Sequence, residues 1–86
     1  MNNILMDNVI NIINESKSLV LEVKKNLIIN IFNENDIKMD INIIQHNNSI
    51  LKINYLSINK EDSNVLINVL IKGNNNKCDI NYHVIS

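Results

Sequence analysis

The sequence predicts an α+β domain: an N-terminal helical region over about residues 3–34, packed on a four-stranded antiparallel β-meander near 37–45, 50–58, 64–72 and 77–85. Three observations carry this expectation. Apolar residues recur with a helical period in the first part of the chain. They recur with a period of two in the rest. The alternating segments are joined by short polar stretches of hairpin length.

The helical region starts with Leu5, Met6, Val9, Ile12 and Ile13 on one side and Asp7, Asn8, Asn11, Asn14 and Glu15 on the other. Leu19, Val20, Val23, Leu27, Ile28, Ile31 and Phe32 continue the pattern, and at ~100° per residue both halves share one apolar stripe. One long helix or two consecutive helices satisfy this. The cluster "NESKS" (14–18) is the place for a break, because Asn and Ser favour caps and turns. The β-branched run "SLVLEV" (18–23) reads as a strand if taken alone.

After Asn35-Asp36 the period becomes two. Ile37, Met39, Ile41 and Ile43 alternate with Lys38, Asp40 and Asn42, and Leu51, Ile53 and Tyr55 alternate with Lys52 and Asn54. Val65, Ile67, Val69 and Ile71 alternate with Leu66, Asn68, Leu70 and Lys72. Cys78, Ile80, Tyr82 and Val84 alternate with Asp79, Asn81 and His83. The connecting segments "HNNS", "NKEDS" and "GNNN" suit hairpins. In the last hairpin, pairing Lys72 with Lys77 aligns Ile71 with Cys78, Val69 with Ile80, Ile67 with Tyr82 and Val65 with Val84. A slip of one residue would turn each of these to the wrong face.

One face of such a sheet buries against the helical layer. The other carries Ile44, Ile50, Leu56, Ile58, Leu66, Leu70 and Ile85, with Asp40, Asn54, Asn68 and Asn81 as a polar row across the strands. Three readings compete for these aliphatics: contact with another molecule, cover by the chain itself, or scatter. Ile44, Ile50, Leu56, Leu66 and Leu70 are the candidate contact residues.

Composition bounds the rest. Eighty-six residues suit one small domain, burying ~60–65% of the surface of the unfolded chain. The core is aliphatic, from 18 Ile, 8 Leu and 6 Val against one Phe and two Tyr. Twenty Asn accompany an absence of Ala, Arg, Thr, Pro and Trp, which reads as pressure from AT-rich codons. No repeat of 20–50 residues stands out. The opening "MNNILMDNVINII" lacks the charge and apolar run of a signal peptide, and no stretch approaches a membrane span. A single cysteine suits a reducing compartment, so the expected location is cytoplasmic.

Chemistry finds little support. Cys78 and His83 are five residues apart in a strand and therefore on opposite faces, which leaves no metal or nucleophilic pair. Asp79 and His83 share a face but lie roughly 13 Å apart, beyond hydrogen-bond reach. His46 falls at a hairpin tip as a solvated residue, and an acid–base site would need Asp40 or Glu61 brought to a histidine. One glycine excludes the phosphate-loop patterns. Eight Lys against nine acidic residues give a net charge of -1, too little basic character for nucleic acid.

The sequence reading is a small cytosolic protein–protein interaction module, not an enzyme, with no catalytic, metal or cofactor residues. An inhibitor, immunity-type or phage or mobile-element accessory protein that masks its partner is the setting; the partner is another protein or a second copy. The alternatives are a homo-oligomeric structural subunit and a small-ligand or nucleotide-binding protein.

Overall fold

The computed structural model describes residues 2–34, 37–58 and 64–85, over 2–8 by backbone alone. It has six strands: β1 Asn2–Ile13, β2 Lys17–Asn33, β3 Lys38–Gln45, β4 Ile50–Ile58, β5 Asn64–Ile71 and β6 Lys77–Ile85. The strand order is β5-β3-β2-β4-β6, with β1 also on β2, and each pairing is parallel. Among the described residues there is no helix. The expected α+β domain with an antiparallel meander is therefore replaced by an all-strand fold built on one curled, parallel sheet. The segment "NKEDS" with Glu61, the boundary Asn35-Asp36 and the side chains of Leu5, Met6, Asp7 and Asn8 lie outside the described residues.

The long strand β2 explains the architecture. Its residues Lys17–Val23 pair with Met39–Gln45 of β3, whereas Asn26–Asn33 pair with Ile50–Ser57 of β4. Exposed Lys24, Lys25 and Asn26 mark the corner where one partner gives way to the other. β5 then extends the first limb by pairing with β3, and β6 extends the second by pairing with β4. The chain thus winds through four stacked coils, each contributing to two limbs whose inner faces meet.

Parallel neighbours ordinarily need a connection of about a dozen residues or more. Here that connection is the strand of the opposite limb. "HNNS" and "GNNN" therefore join limbs rather than hydrogen-bonded neighbours, which is why the expected β5–β6 hairpin is absent. Alternation is the same in a hairpin and in this arch, so loop parity fitted both.

The core lies between the limbs. Leu21, Val23, Ile41 and Ile43 from the first limb meet Leu27, Ile29, Ile31, Leu51 and Ile53 from the second, all buried. Each fully buried aliphatic of this size contributes roughly 1.5–3 kcal/mol. The core that was expected between sheet and helices is formed by the sheet folding over itself.

The helical reading of β2 failed for a specific reason. The stripe Leu19, Val20, Val23, Leu27, Ile28, Ile31 and Phe32 mixes inward residues with the outward Val20, Ile28 and Phe32. It also omits Leu21 and Ile29, which are fully buried. Outward apolar residues on a strand made a period of two look like one of 3.6. In β1 a register irregularity between Leu5 and Asp7 shifts the alternation further.

Corners are built from asparagine and the single glycine. Asn14, Asn48 and Asn75 hold φ of 50°, 59° and 59°, and Gly73 holds 101°. Asn tolerates this left-handed region better than other residues with a Cβ. The corner after β5 sits on the corner after β3: Asn48 N donates to Asn74 O at 3.0 Å, and Asn74 N donates to Asn47 Oδ1 at 2.7 Å. Buried Gln45 ties the two corners from inside, its Nε2 donating to Ser49 O at 3.0 Å and Lys77 O at 2.7 Å. A Cβ at Gly73 would stand 1.7 Å from Asn47 Oδ1. Gly73→Ala should therefore lower the unfolding free energy by about 1–3 kcal/mol in a urea titration, whereas Asn75→Gly should be nearly neutral.

Candidate functional site

The four coils carry a repeated local pattern, Ile-Asn followed by an apolar residue. It occurs at 10–12, 29–31, 53–55 and 80–82 in the second limb, and at 41–43 and 67–69 in the first. Stacking brings these asparagines into register as Asn11, Asn30, Asn54 and Asn81. Asn30 Nδ2 donates to Asn11 Oδ1 at 3.0 Å, Asn54 Nδ2 to Asn30 Oδ1 at 2.9 Å, and Asn81 Nδ2 to Asn54 Oδ1 at 3.0 Å. Asn68 Nδ2 donates to Asn42 Oδ1 at 3.0 Å in the first limb. The polar row expected across a meander is thus divided between limbs. Asn54 and Asn81 share one ladder, Asn68 belongs to another, and Asp40 stands beside Leu66 in register.

The ladder exposes the difference between the two ends of the stack. In the first coil the inward residues Ile10 and Ile12 are half-buried and buried. In the last coil the residues of core parity divide: Val65, Ile67, Val69 and Cys78 are half-buried against the core, whereas Ile71 is 50% exposed, Ile80 58%, Tyr82 69% and Val84 47%. No strand pairs with the far edges of β5 and β6 among the described residues. Between these strands a cavity of about 330 Å³ opens, lined by Ile53, Tyr55, Val65, Ile67, Ile80 and Tyr82 among others. Tyr82 stacks one ring face on Tyr55, with centroids 5.0 Å apart and planes inclined by 17°. Its other face is open: of two residues with the same alternation, Tyr55 is buried and Tyr82 is not.

Neighbouring groups are quiet chemically. Cys78 is half-buried on the inner side and His83 is exposed on the outer side of β6. Burial, and then the adjacent Asp79 carboxylate, push the Cys78 thiol above its ordinary range, away from the reactive thiolate. His46 is not the solvated tip residue expected: it is partly buried, with Nε2 2.9 Å from Glu22 Oε1 across the corner. Among the described residues no three His, Cys, Asp or Glu converge as metal ligands. A shallow outer depression of about 700 Å³ runs along the Asn ladder, but its amides bind each other.

The five candidate contact residues point away from the core but do not form one patch. Ile44 and Leu70 are register partners on the outer face of the first limb, and Leu66 lies on that face too. Ile50 and Leu56 lie on the outer face of the second limb. The residues missed were Ile80, Tyr82 and Val84, placed inside on alternation alone. The Ile-Asn-apolar repeat was a signal for the stacking register of β6, not for the exposure of these residues. It recurs at unequal spacing, so a search for one fixed period passes over it.

Fold and site together define a short, two-limbed parallel β-solenoid whose last coil leaves apolar residues of core parity open. No family model, curated protein or solved structure matches the chain. Among the described residues no helix is long and apolar enough to cross a membrane.

Proposed function

We propose that the protein is a protein–protein association module that makes its contact by strand addition at the open end of the stack. The observation that carries this is the exposure of Ile71, Ile80, Tyr82 and Val84 beside two unpaired strand edges. Solenoids need a terminal cover because each coil buries its inner face against a neighbour. Free strand edges recruit strands through backbone hydrogen bonds, with alternate side chains filling the apolar gap. This moves the contact from the outer sheet faces, where the sequence had placed it, to the end of the stack. The free thiol of Cys78 favours a reducing compartment such as the cytoplasm.

The test compares two double variants by sedimentation and by retention of host proteins on the immobilised chain. Ile80→Lys with Tyr82→Lys should abolish association, because both lysines would have to be desolvated at the contact. Leu66→Lys with Leu70→Lys, on the outer face, should leave it intact. The opposite ranking, or no association of any kind by the unaltered chain, would overturn the proposal.

A further inference from the structure

The occupant of the open end can be identified from the strand that borders it. We infer that it is a second copy of this chain, placed end to end by a two-fold axis that runs through Asn81; this rests on the association reading above. Two features lead there. Among the residues whose side chains are described, the first coil turns half-buried Ile10 and buried Ile12 inward and offers no counterpart to open Ile80 and Tyr82, so head-to-tail stacking would leave these two unmatched.

The second feature is the complementarity of β6 with itself. With two copies of β6 antiparallel about Asn81, the inward residues pair as Ile80 with Tyr82 and Cys78 with Val84. The outward residues pair as Asp79 with His83, twice, which sets a carboxylate against an imidazole. Asn81 meets its own copy, and an amide is both donor and acceptor, so the pair is self-complementary. Shifting the axis by one residue to Ile80 would instead set Lys77 against His83 and Asp79 against Asn81. The interface is isologous and closes at two copies, and antiparallel cross-strand contacts of this kind favour opposite charges over like ones. The same axis lays the two β5 edges antiparallel, and the two 330 Å³ openings merge into one enclosed apolar space.

Sedimentation and cross-linking of the full chain test this. The unaltered protein should reach a limit of two copies, with nothing larger as concentration rises. His83→Asp, which sets Asp79 against a second carboxylate at two places, should weaken the dimer about tenfold, and exchanging the two residues (Asp79→His with His83→Asp) should restore it. Directly opposed residues in antiparallel strands have Cα atoms ~4.5–5.5 Å apart, within disulfide range. In a Cys78→Ser background, Asn81→Cys should therefore give a covalent dimer under mild oxidation. Asp79→Cys, whose copies stand roughly 13 Å apart, should not. A monomer at every concentration with no Asn81→Cys cross-link overturns the inference. If that monomer still retains a host protein, and loses it on Ile80→Lys with Tyr82→Lys, the association reading survives alone. Assemblies that keep growing with concentration overturn the two-fold arrangement in favour of head-to-tail stacking.

Discussion

Ile53→Ala should lower the unfolding free energy by about 2–5 kcal/mol, while the same change at Ile80 should cost less than about 1 kcal/mol in the dilute protein. The two residues are register partners on adjacent strands and occupy the same place in the Ile-Asn-apolar pattern. Ile53 is fully buried between the limbs; Ile80 is 58% exposed on the uncovered coil. Truncating Ile53 leaves a cavity that is not readily filled, because pairing with β2 on one side and β6 on the other fixes β4 in place. A small domain has only about 5–15 kcal/mol in total, so this single change removes a large share of its stability. Denaturant midpoints at low and high protein concentration give a second readout. Ile80→Ala should matter more as concentration rises, because covering the end buries that side chain. Equal effects at the two positions in dilute protein would contradict the open end.

The second large effect concerns Asn54. Its amide donates to Asn30 and accepts from Asn81, so it holds the ladder from both sides. Asn54→Asp keeps the shape and loses the donor. At pH 7 the carboxylate faces Asn30 Oδ1 with two acceptors opposed, and stability should fall by about 1–3 kcal/mol. The carboxylate would be destabilised in the folded state, which raises its folded pKa above the unfolded value near 3.9. Protonation restores the donor. The deficit relative to the unaltered protein should therefore shrink as pH falls toward about 3 and be largest at neutral pH. Asn54→Ala, which has no titrating group, should show a deficit that does not change with pH. Urea titrations of the three proteins at pH 3 and 7 separate these outcomes.

The strands after residue 36 were legible because their inner and outer residues differ clearly. Met39, Ile41 and Ile43 against Lys38, Asp40 and Asn42 leave little ambiguity, and β3 begins and ends within a residue of the alternating segment. Which strands pair was not legible. Alternation fixes the face of each residue and says nothing about its neighbour, and parallel coils and antiparallel hairpins use the same alternation. In β2 even the period was obscured, since Val20, Ile28 and Phe32 on the outer face completed a false helical stripe. The 18 isoleucines and six valines were a stronger cue to strand than the stripe was to helix.

The positions of the asparagines went unread for a related reason. A reading from codon pressure bears only on how many asparagines there are, not on where they fall. Asn11, Asn30, Asn54 and Asn81 stand on one line; Asn14, Asn48 and Asn75 take left-handed corners. The open end was invisible because Ile80, Tyr82 and Val84 have the alternation of buried residues. Their exposure follows from what lies beyond β6, which no local pattern records.

The unequal coils have a consequence for what the molecule can accommodate. Successive coils are separated by 18–19, 22–24 and 26–27 residues, yet the paired strands of the last two keep nearly the same length. The growth is taken up largely at the corners, which widen from Met6 alone to Lys24-Lys25, then 46–49, then 72–76. Ring size is thus decoupled from stacking, and doubling a flexible loop costs only about 0.6 kcal/mol in closure entropy. Length can therefore be added on this side of the stack without changing strand register, provided the bonds from Asn48 N to Asn74 O and from Asn74 N to Asn47 Oδ1 are kept.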